Sequence, residues 1–434
     1  MRFSIFSFLI ICIVQVSQAQ NFYFPPLNGI GWEKTTPEEL GWCTDKIVPL
    51  YNFLEQKESK AFIVLKDGKI VLEKYFDSFT QDSLWYWASA GKTLTGMLVG
   101  IAQQEGLLDI NEKSSKYLQE GWTSLPKEKE DIITIKNQLT MTSGLNDSVD
   151  PDCTLDTCLI YEADAGTRWA YHNAPYTLLD KVIEAASGKT YNSYFSQSIK
   201  NKIGMNGTWL KIDYNNVYFS NARSMARYGI LLQNRGIWNG NAVLNDTAYF
   251  NQMTNSSQNI NQSYGYLTWL NGKASFMLPQ SQIVFGGKLM KDAPDDLYAA
   301  MGKNGQIINV VPSKGIIVVR MGNPPNGSSP FVPNVFNNDI WQYLNEVICG
   351  STSTEDQPRE GLSVSLMRNP VQDKLILNPA ISGHFEVEII SLSGKTLNFN
   401  KDKHIIDVSN LPSGTYFLKI KSGDRLKVLK WIKI

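Results

Sequence analysis

Strand-forming residues gather at the two ends of the first 350 residues and are scarce between them. Near the start, Ala61-Phe-Ile-Val-Leu-Lys66 and Lys69-Ile-Val-Leu-Glu-Lys-Tyr-Phe76 flank Asp67-Gly68, a pair that favours a tight turn between antiparallel strands. Near the end come Leu297–Met301, Gln306–Val311 and Gly315–Met321, followed by a predicted helix over 337–348. The stretch from about 107 to 260 reads as mostly helical, with Gly-, Asn-, Asp- and Ser-rich loops. Strands supplied by distant segments imply one sheet closed by both ends of the chain and carrying an inserted helical lobe. The first helix, predicted over about 37–56, would then pack beside the last one on that sheet. A chain of 434 residues can build such a domain without needing staples.

Residues 1–19 have the form of a signal peptide: Arg2, an apolar run from Phe3 to Val16, then Ser17-Gln18-Ala19. Ile11 is bulky where lipoprotein cleavage before Cys12 would need a small residue, so cleavage after Ala19 is expected. The run is too short to make a stable membrane span. Export permits disulfides. Cys153 and Cys158 are close enough to bridge locally, which leaves Cys43 and Cys349 as the second pair; four free thiols are the alternative. Residues 351–361 are polar and read as a linker. Beyond them, Lys374-Leu-Ile-Leu377, Phe385–Ile390 and Thr415–Ile420 alternate between turn signals and suggest a small β-sandwich.

Ser89 and Lys92 stand three apart at the start of an apolar helical run, so they share one helix face. A serine needs a base to become a nucleophile, and a desolvated, neutral lysine can serve. The bland alternative is a capping serine with a solvated lysine behind it. Histidine narrows the choice. Of three histidines, His384 and His404 lie in the C-terminal segment, so only His172 is available to the main domain and a multi-histidine metal site is ruled out there. Trp87 breaks the Gly-x-Ser-x-Gly pattern at Ser89, and neither a Walker loop nor a Gly-x-Gly-x-x-Gly helix start is present. No metal or cofactor is expected, and the zero formal charge gives no reason to expect a nucleic-acid partner. Hydrolytic chemistry here would have to run on lysine and tyrosine.

Ser89-Ala-Gly-Lys92, Tyr171-His-Asn173 and Lys303-Asn-Gly305, in that order, resemble the three motifs of the serine β-lactamase and penicillin-binding protein superfamily. The likeness is to its class C-like branch of esterases, aminopeptidases and amide hydrolases. Leu139–Leu145, Tyr176–Ile183 and Ser224–Leu232 are similar to that branch too, over about residues 30–350. The resemblance implies an α+β, DD-peptidase/β-lactamase-like fold: an antiparallel sheet flanked by helices, with the inserted lobe, then the small C-terminal β-sandwich. It implies Ser89 as nucleophile, with Lys92 and Tyr171 as bases and Asn173 orienting Lys92 or the substrate. Lys303 would hold down the pKa of Tyr171 and Lys92, and the backbone N–H groups of Ser89 and Gln306 would form the oxyanion hole. Trp87, Trp169, Asn304 and Gly305 are the expected substrate-binding residues. Read without the resemblance, Tyr171 is a core aromatic, Asn173 a helix cap and Gly302–Gly305 an ordinary hairpin turn. Met141 stands where many relatives have histidine, and Lys303 where esterase-like members often have histidine or tryptophan. The Asp152–Asp164 loop is expected at the cleft mouth, setting substrate choice.

Arg368-Asn-Pro-Val371, Ile389–Lys395 and Asp407–Ile420 resemble the type IX secretion sorting domain, although Lys430–Ile434 departs somewhat from its usual basic end. The expected layout is a signal peptide (1–19), a hydrolase domain (20–350), a linker (351–361) and a sorting domain (362–434) that engages the type IX secretion machinery. The expected product is a secreted or cell-surface hydrolase of small-molecule or peptide esters or amides. The rivals are a β-lactamase or DD-peptidase-type penicillin-binding protein, and a non-catalytic binding module that keeps the fold.

Overall fold

Asp67 and Gly68 both adopt positive φ, 48° and 85°, the twist that lets two strands fold back on each other. That turn joins β1 (Ser59–Lys66) to β2 (Lys69–Tyr75) in the computed structural model. The structure describes residues 22–325, 332–349, 364–378, 383–391, 396–401, 403–423 and 425–434. The signal-peptide and linker readings lie outside the described residues. Four further strands complete an antiparallel sheet: β3 (Trp269–Leu270), β4 (Tyr298–Gly302), β5 (Gln306–Val311) and β6 (Ile316–Gly322). The order β2-β1-β6-β5-β4-β3 puts the earliest hairpin against the last strand, so both ends of the domain close one sheet.

Side chains alternate across a strand, so each face has its own partners. Helix α1 (Ile47–Gln56) follows a tight turn, and α2 (Lys92–Gln104) is buried through its first eleven residues. Helix α3 (Ala222–Gln233) lies on the face that carries Ile308 and Ile317. On the other face, α4 (Asn334–Ile348) presents Asn337, whose carboxamide exchanges two hydrogen bonds with that of Asn309, 2.7 and 2.8 Å. Both asparagines are fully buried, and the reciprocal pairing leaves neither amide short of a partner across that contact.

The first helix is shorter than the sequence suggests. Gly41 takes a left-handed φ of 69°, Cys43 is extended, and helical structure begins only at Thr44. The Cys43 N–H donates to the carbonyl of Val347, Phe53 stacks on Tyr343 at 4.4 Å, and Cys43 is disulfide-bonded to Cys349. The second disulfide joins Cys153 and Cys158. The Cys43–Cys349 bond spans 306 residues and ties the first helix to the last. Replacing both cysteines by serine is expected to cost about 2–5 kcal/mol, read as a lower urea midpoint for otherwise folded protein.

The middle of the chain is less helical than expected. Thr208–Ile212 and Asn215–Ser220 form strands that pair with each other, and the second also pairs with Trp85–Tyr86. Tyr218 is the anchor: it is fully buried among Trp87, Phe195 and Trp209, and its hydroxyl donates to the Asn206 carbonyl at 2.7 Å. The C-terminal residues form two antiparallel sheets around a core of their own, in which Leu375, Val387, Ile389, Leu418, Ile420 and Trp431 are buried. Among the described residues no helix is long and apolar enough to cross a membrane.

Candidate active site

The chain reaches Ser89 through a sharp change of direction. Trp85 and Tyr86 are in a strand, Ala88 takes a left-handed φ of 46°, and a turn over Ala88–Gly91 runs into α2. A non-glycine residue held in that region stores strain of about 1–3 kcal/mol, which packing must over-determine. Trp87 supplies that packing. It is fully buried, its N–H donates to the Trp-facing hydroxyl of Ser220 at 2.7 Å, and its ring meets Tyr218 edge-on. Trp87 therefore anchors the turn from behind and does not line the cleft.

Lys92, one turn on, is 3% exposed. Its Nζ donates to Ser89 Oγ at 3.1 Å and to Asn173 Oδ1 at 2.7 Å. The rings of Tyr176 and Tyr171 lie 4.1 and 5.1 Å away and keep water off the amine. Burial brings its pKa down to about 7, against an opposing pull from the Asp152 carboxylate. A large fraction of the molecules at neutral pH thus carry a neutral amine beside the serine hydroxyl. Asn173 in turn donates from Nδ2 to Asp152 Oδ1 at 2.7 Å. Four side chains therefore run in one hydrogen-bonded line, Asp152–Asn173–Lys92–Ser89.

Tyr171 faces the same space. Its hydroxyl is buried and makes no hydrogen bond of regular geometry, although the Ser89 hydroxyl is near enough to favour the phenolate slightly. Burial dominates and pushes the phenol well above its ordinary pKa, so Tyr171 is a protonated donor in the free site. This differs from the expectation that Lys303 holds both groups down. Lys303 is exposed at the cleft, and the charge acting on Lys92 is the carboxylate of Asp152. Behind Tyr171, Trp269 stacks on its ring at 5.6 Å, and Trp169 packs at 6.3 Å with no exposed surface. Trp169 thus supports Tyr171 from the core and does not touch the cleft. His172 is buried, and burial lowers it to about 4, so it is neutral.

The third motif forms the turn Lys303–Gly305 between β4 and β5. Lys303 lines the cleft, whereas Asn304 donates to the Tyr86 hydroxyl at 2.7 Å and Gly305 faces inward. Neither Asn304 nor Gly305 is on the cleft wall; both shape the turn. Arg320, which no sequence motif marks, bolts it down. Fully buried, its guanidinium donates to the carbonyls of Asn304, Gly305, Lys57 and Asn323 and to the Ser59 hydroxyl. Its signal was faint: one arginine inside the apolar run Gly315–Met321. The Gln306 carboxamide is likewise occupied with Gly322, and the residue is fully buried and does not line the cleft. Gln306 pairs in register with Gly302, and a Cβ on Gly302 would stand 2.4 Å from the Trp87 carbonyl and 3.1 Å from the Ser89 nitrogen. Only glycine lets this strand approach the serine turn so closely. Gly302→Ala is expected to fold but to slow reaction at Ser89 by about 10²-fold, measured as labelling rate by a serine-directed reagent.

Ser89, Lys92, Tyr171, Asn173, Tyr176 and Lys303 border a cleft of about 390 Å³. Its lining also carries Asp147, Asp152 and Asp213, with Asp147 ion-paired to Arg168 at 2.7 Å. The Asp152–Asp164 loop does reach the cleft, but Asp152 goes further in than a mouth position.

Residues 53–333 match the family described as Beta-lactamase, and residues 368–434 match the secretion system C-terminal sorting domain. An uncharacterised protein of Alkalihalophilus pseudofirmus is 23% identical over 299 residues, 60% of this chain and 82% of that one. Penicillin-binding protein 4* of Bacillus subtilis is 27% identical over 144 residues, and the match spans 29% of this chain and only 30% of the relative. Among solved structures, a protein of Bacillus anthracis provisionally named as a 6-aminohexanoate-dimer hydrolase superposes with a TM-score of 0.55. It is 17% identical, and the match covers 75% of this chain and 91% of the other, a likeness of fold.

Proposed function

The chain belongs to the beta-lactamase family, and on that premise we propose that it is an exported serine hydrolase cleaving an ester or linear amide through a Ser89 acyl-enzyme. The observation that carries this reading is the buried Lys92 amine, 3.1 Å from Ser89 Oγ and with a pKa near 7. As a neutral base it takes the Ser89 proton while the oxygen attacks the substrate carbonyl. The oxyanion that forms is held by the Ser89 N–H, a contribution of typically 10²–10³ in rate per donor; Gln306, expected as the second donor, is fully buried on β5 and off the cleft wall. Tyr171, protonated in the free site, passes its proton to the leaving nitrogen or oxygen and regains one from the Lys92 ammonium. Water then attacks the ester of Ser89, giving its proton to Lys92; the Ser89 Oγ–acyl bond breaks, Lys92 returns that proton to Ser89 Oγ, and the acid leaves.

Two further points favour an ester or linear amide over cell-wall peptide. The sorting domain is a device for delivery across the outer membrane, which would separate the enzyme from murein. The fold neighbour from Bacillus anthracis is provisionally named as a 6-aminohexanoate-dimer hydrolase. The likeness to penicillin-binding protein 4* keeps a penicillin-reactive protein as the second reading.

A panel of nitrophenyl esters, amino-acid anilides and a chromogenic cephalosporin tests the choice. Turnover of esters or anilides well above that of the cephalosporin is expected. Fast cephalosporin hydrolysis with idle esters and anilides would move the assignment to a β-lactamase, and inertness to all three would favour a binding module.

A further inference from the structure

Lys92 is held by a carboxamide, and a carboxamide can face either way. Asn173 presents Oδ1 to the Lys92 amine at 2.7 Å and Nδ2 to Asp152 Oδ1 at 2.7 Å. Were the amide flipped, its NH2 would meet an amine that also needs an acceptor, and the line to Ser89 would break. An ionised carboxylate can only accept, so Asp152 forces the donor end of Asn173 toward itself and the acceptor end toward Lys92. We propose that Asp152 is a positioning residue for the Ser89 reaction, aiming the Lys92 amine at Ser89 through Asn173.

The surrounding loop is built to keep Asp152 in place. The Pro151 carbonyl accepts the Ala174 N–H at 2.9 Å, which fastens the loop to the helix that begins at Asn173. The Cys153–Cys158 disulfide closes the loop on the other side. The Asp152 N–H is itself bonded to the Asp150 carboxylate at 3.1 Å. One bond to the neighbouring helix and two closures within the loop thus hold three consecutive residues around Asp152.

A second consequence is electrostatic. The groups facing Lys92 are the rings of Tyr171 and Tyr176, the Asn173 amide and Asp152; around the cleft stand Asp147 with its Arg168 partner, Asp213 and Lys303. Asp152 is the carboxylate whose charge acts on the amine, and it opposes burial by favouring the ammonium. Removing that charge makes Lys92 lose its proton more easily, so the acid limb of reactivity moves to lower pH.

The inference rests on reading Ser89 as nucleophile and Lys92 as its base. Its test is the rate of Ser89 labelling by a fluorophosphonate, followed by intact mass across a pH range of about 5–9. Asp152→Asn retains an acceptor and the size of the side chain. It is expected to label within about threefold of wild type on the plateau, with its acid limb displaced to lower pH. Asp152→Ala removes the lock on the amide and should be about tenfold slower on the plateau. Wild-type plateau rates in both variants, with an unmoved limb, would overturn the positioning role while leaving Ser89 as nucleophile. A wild-type protein that takes no label would overturn the nucleophile assignment, and the positioning role with it. Should the alanine variant fail to fold, Asp152→Leu, which keeps the bulk without the acceptor, is read on the same plateau.

Discussion

Lys92→Met is expected to abolish turnover and, at neutral pH, to make the protein more stable. The activity loss should be about 10²–10⁴-fold, the usual contribution of a positioned general base. The stability gain follows from burial. A fall from 10.5 to about 7 corresponds to roughly 5 kcal/mol against the charged form. Loss of the bonds to Ser89 and Asn173, and an Asn173 oxygen left without its donor, offset part of this, leaving a gain of about 1–3 kcal/mol. The pH dependence has a definite sign. Between about pH 7 and 10.5 the unfolded chain still holds a proton that the folded chain has released, so wild-type stability rises with pH across that window. The advantage of methionine is therefore greatest at or below pH 7 and shrinks toward pH 10. Urea denaturation at the two ends of the window checks it; an advantage that grows with pH would contradict the buried-amine account.

Ser89→Ala should leave the fold intact and remove about 10⁴–10⁶ of the rate. Ser89 is half-buried and its one described side-chain hydrogen bond is the one it accepts from Lys92, so its loss disturbs little packing. Residual hydrolysis of an activated ester at wild-type level, in protein with an unchanged melting curve, would place the nucleophile elsewhere.

Much of this arrangement is visible in the sequence, and the parts that are not have a common cause. The Asp67-Gly68 turn, the strands at both ends and the Cys43–Cys349 pairing follow from local patterns and from the topology they force. Ser89, Lys92 and Asn173 come together as their motifs imply, because one helix turn fixes the first pair and the start of a short helix fixes the third. What is harder to read is direction. An aromatic beside a motif can face the cleft or the core, and nothing local decides; Trp87 and Trp169 both turn inward to brace Ser89 and Tyr171. Asn304 points at Tyr86 for the same reason, that a long-range partner waits there. Charge is hidden in the same way. The Lys92 pKa is set by burial and by Asp152, and Asp152 is 60 residues away in the chain, in a loop whose sequence looks like surface. Arg320 and Gly302 act through backbone they touch across the sheet, which no single segment displays.

The central claim, that Ser89 is a nucleophile activated by Lys92, is tested most directly by peptide mapping of the full chain after exposure to a fluorophosphonate at pH about 8, above the Lys92 pKa. One adduct is predicted, on the peptide that contains Ser89, formed at a rate that falls steeply below pH 7. No adduct on folded protein, or an adduct on any other residue, would contradict it.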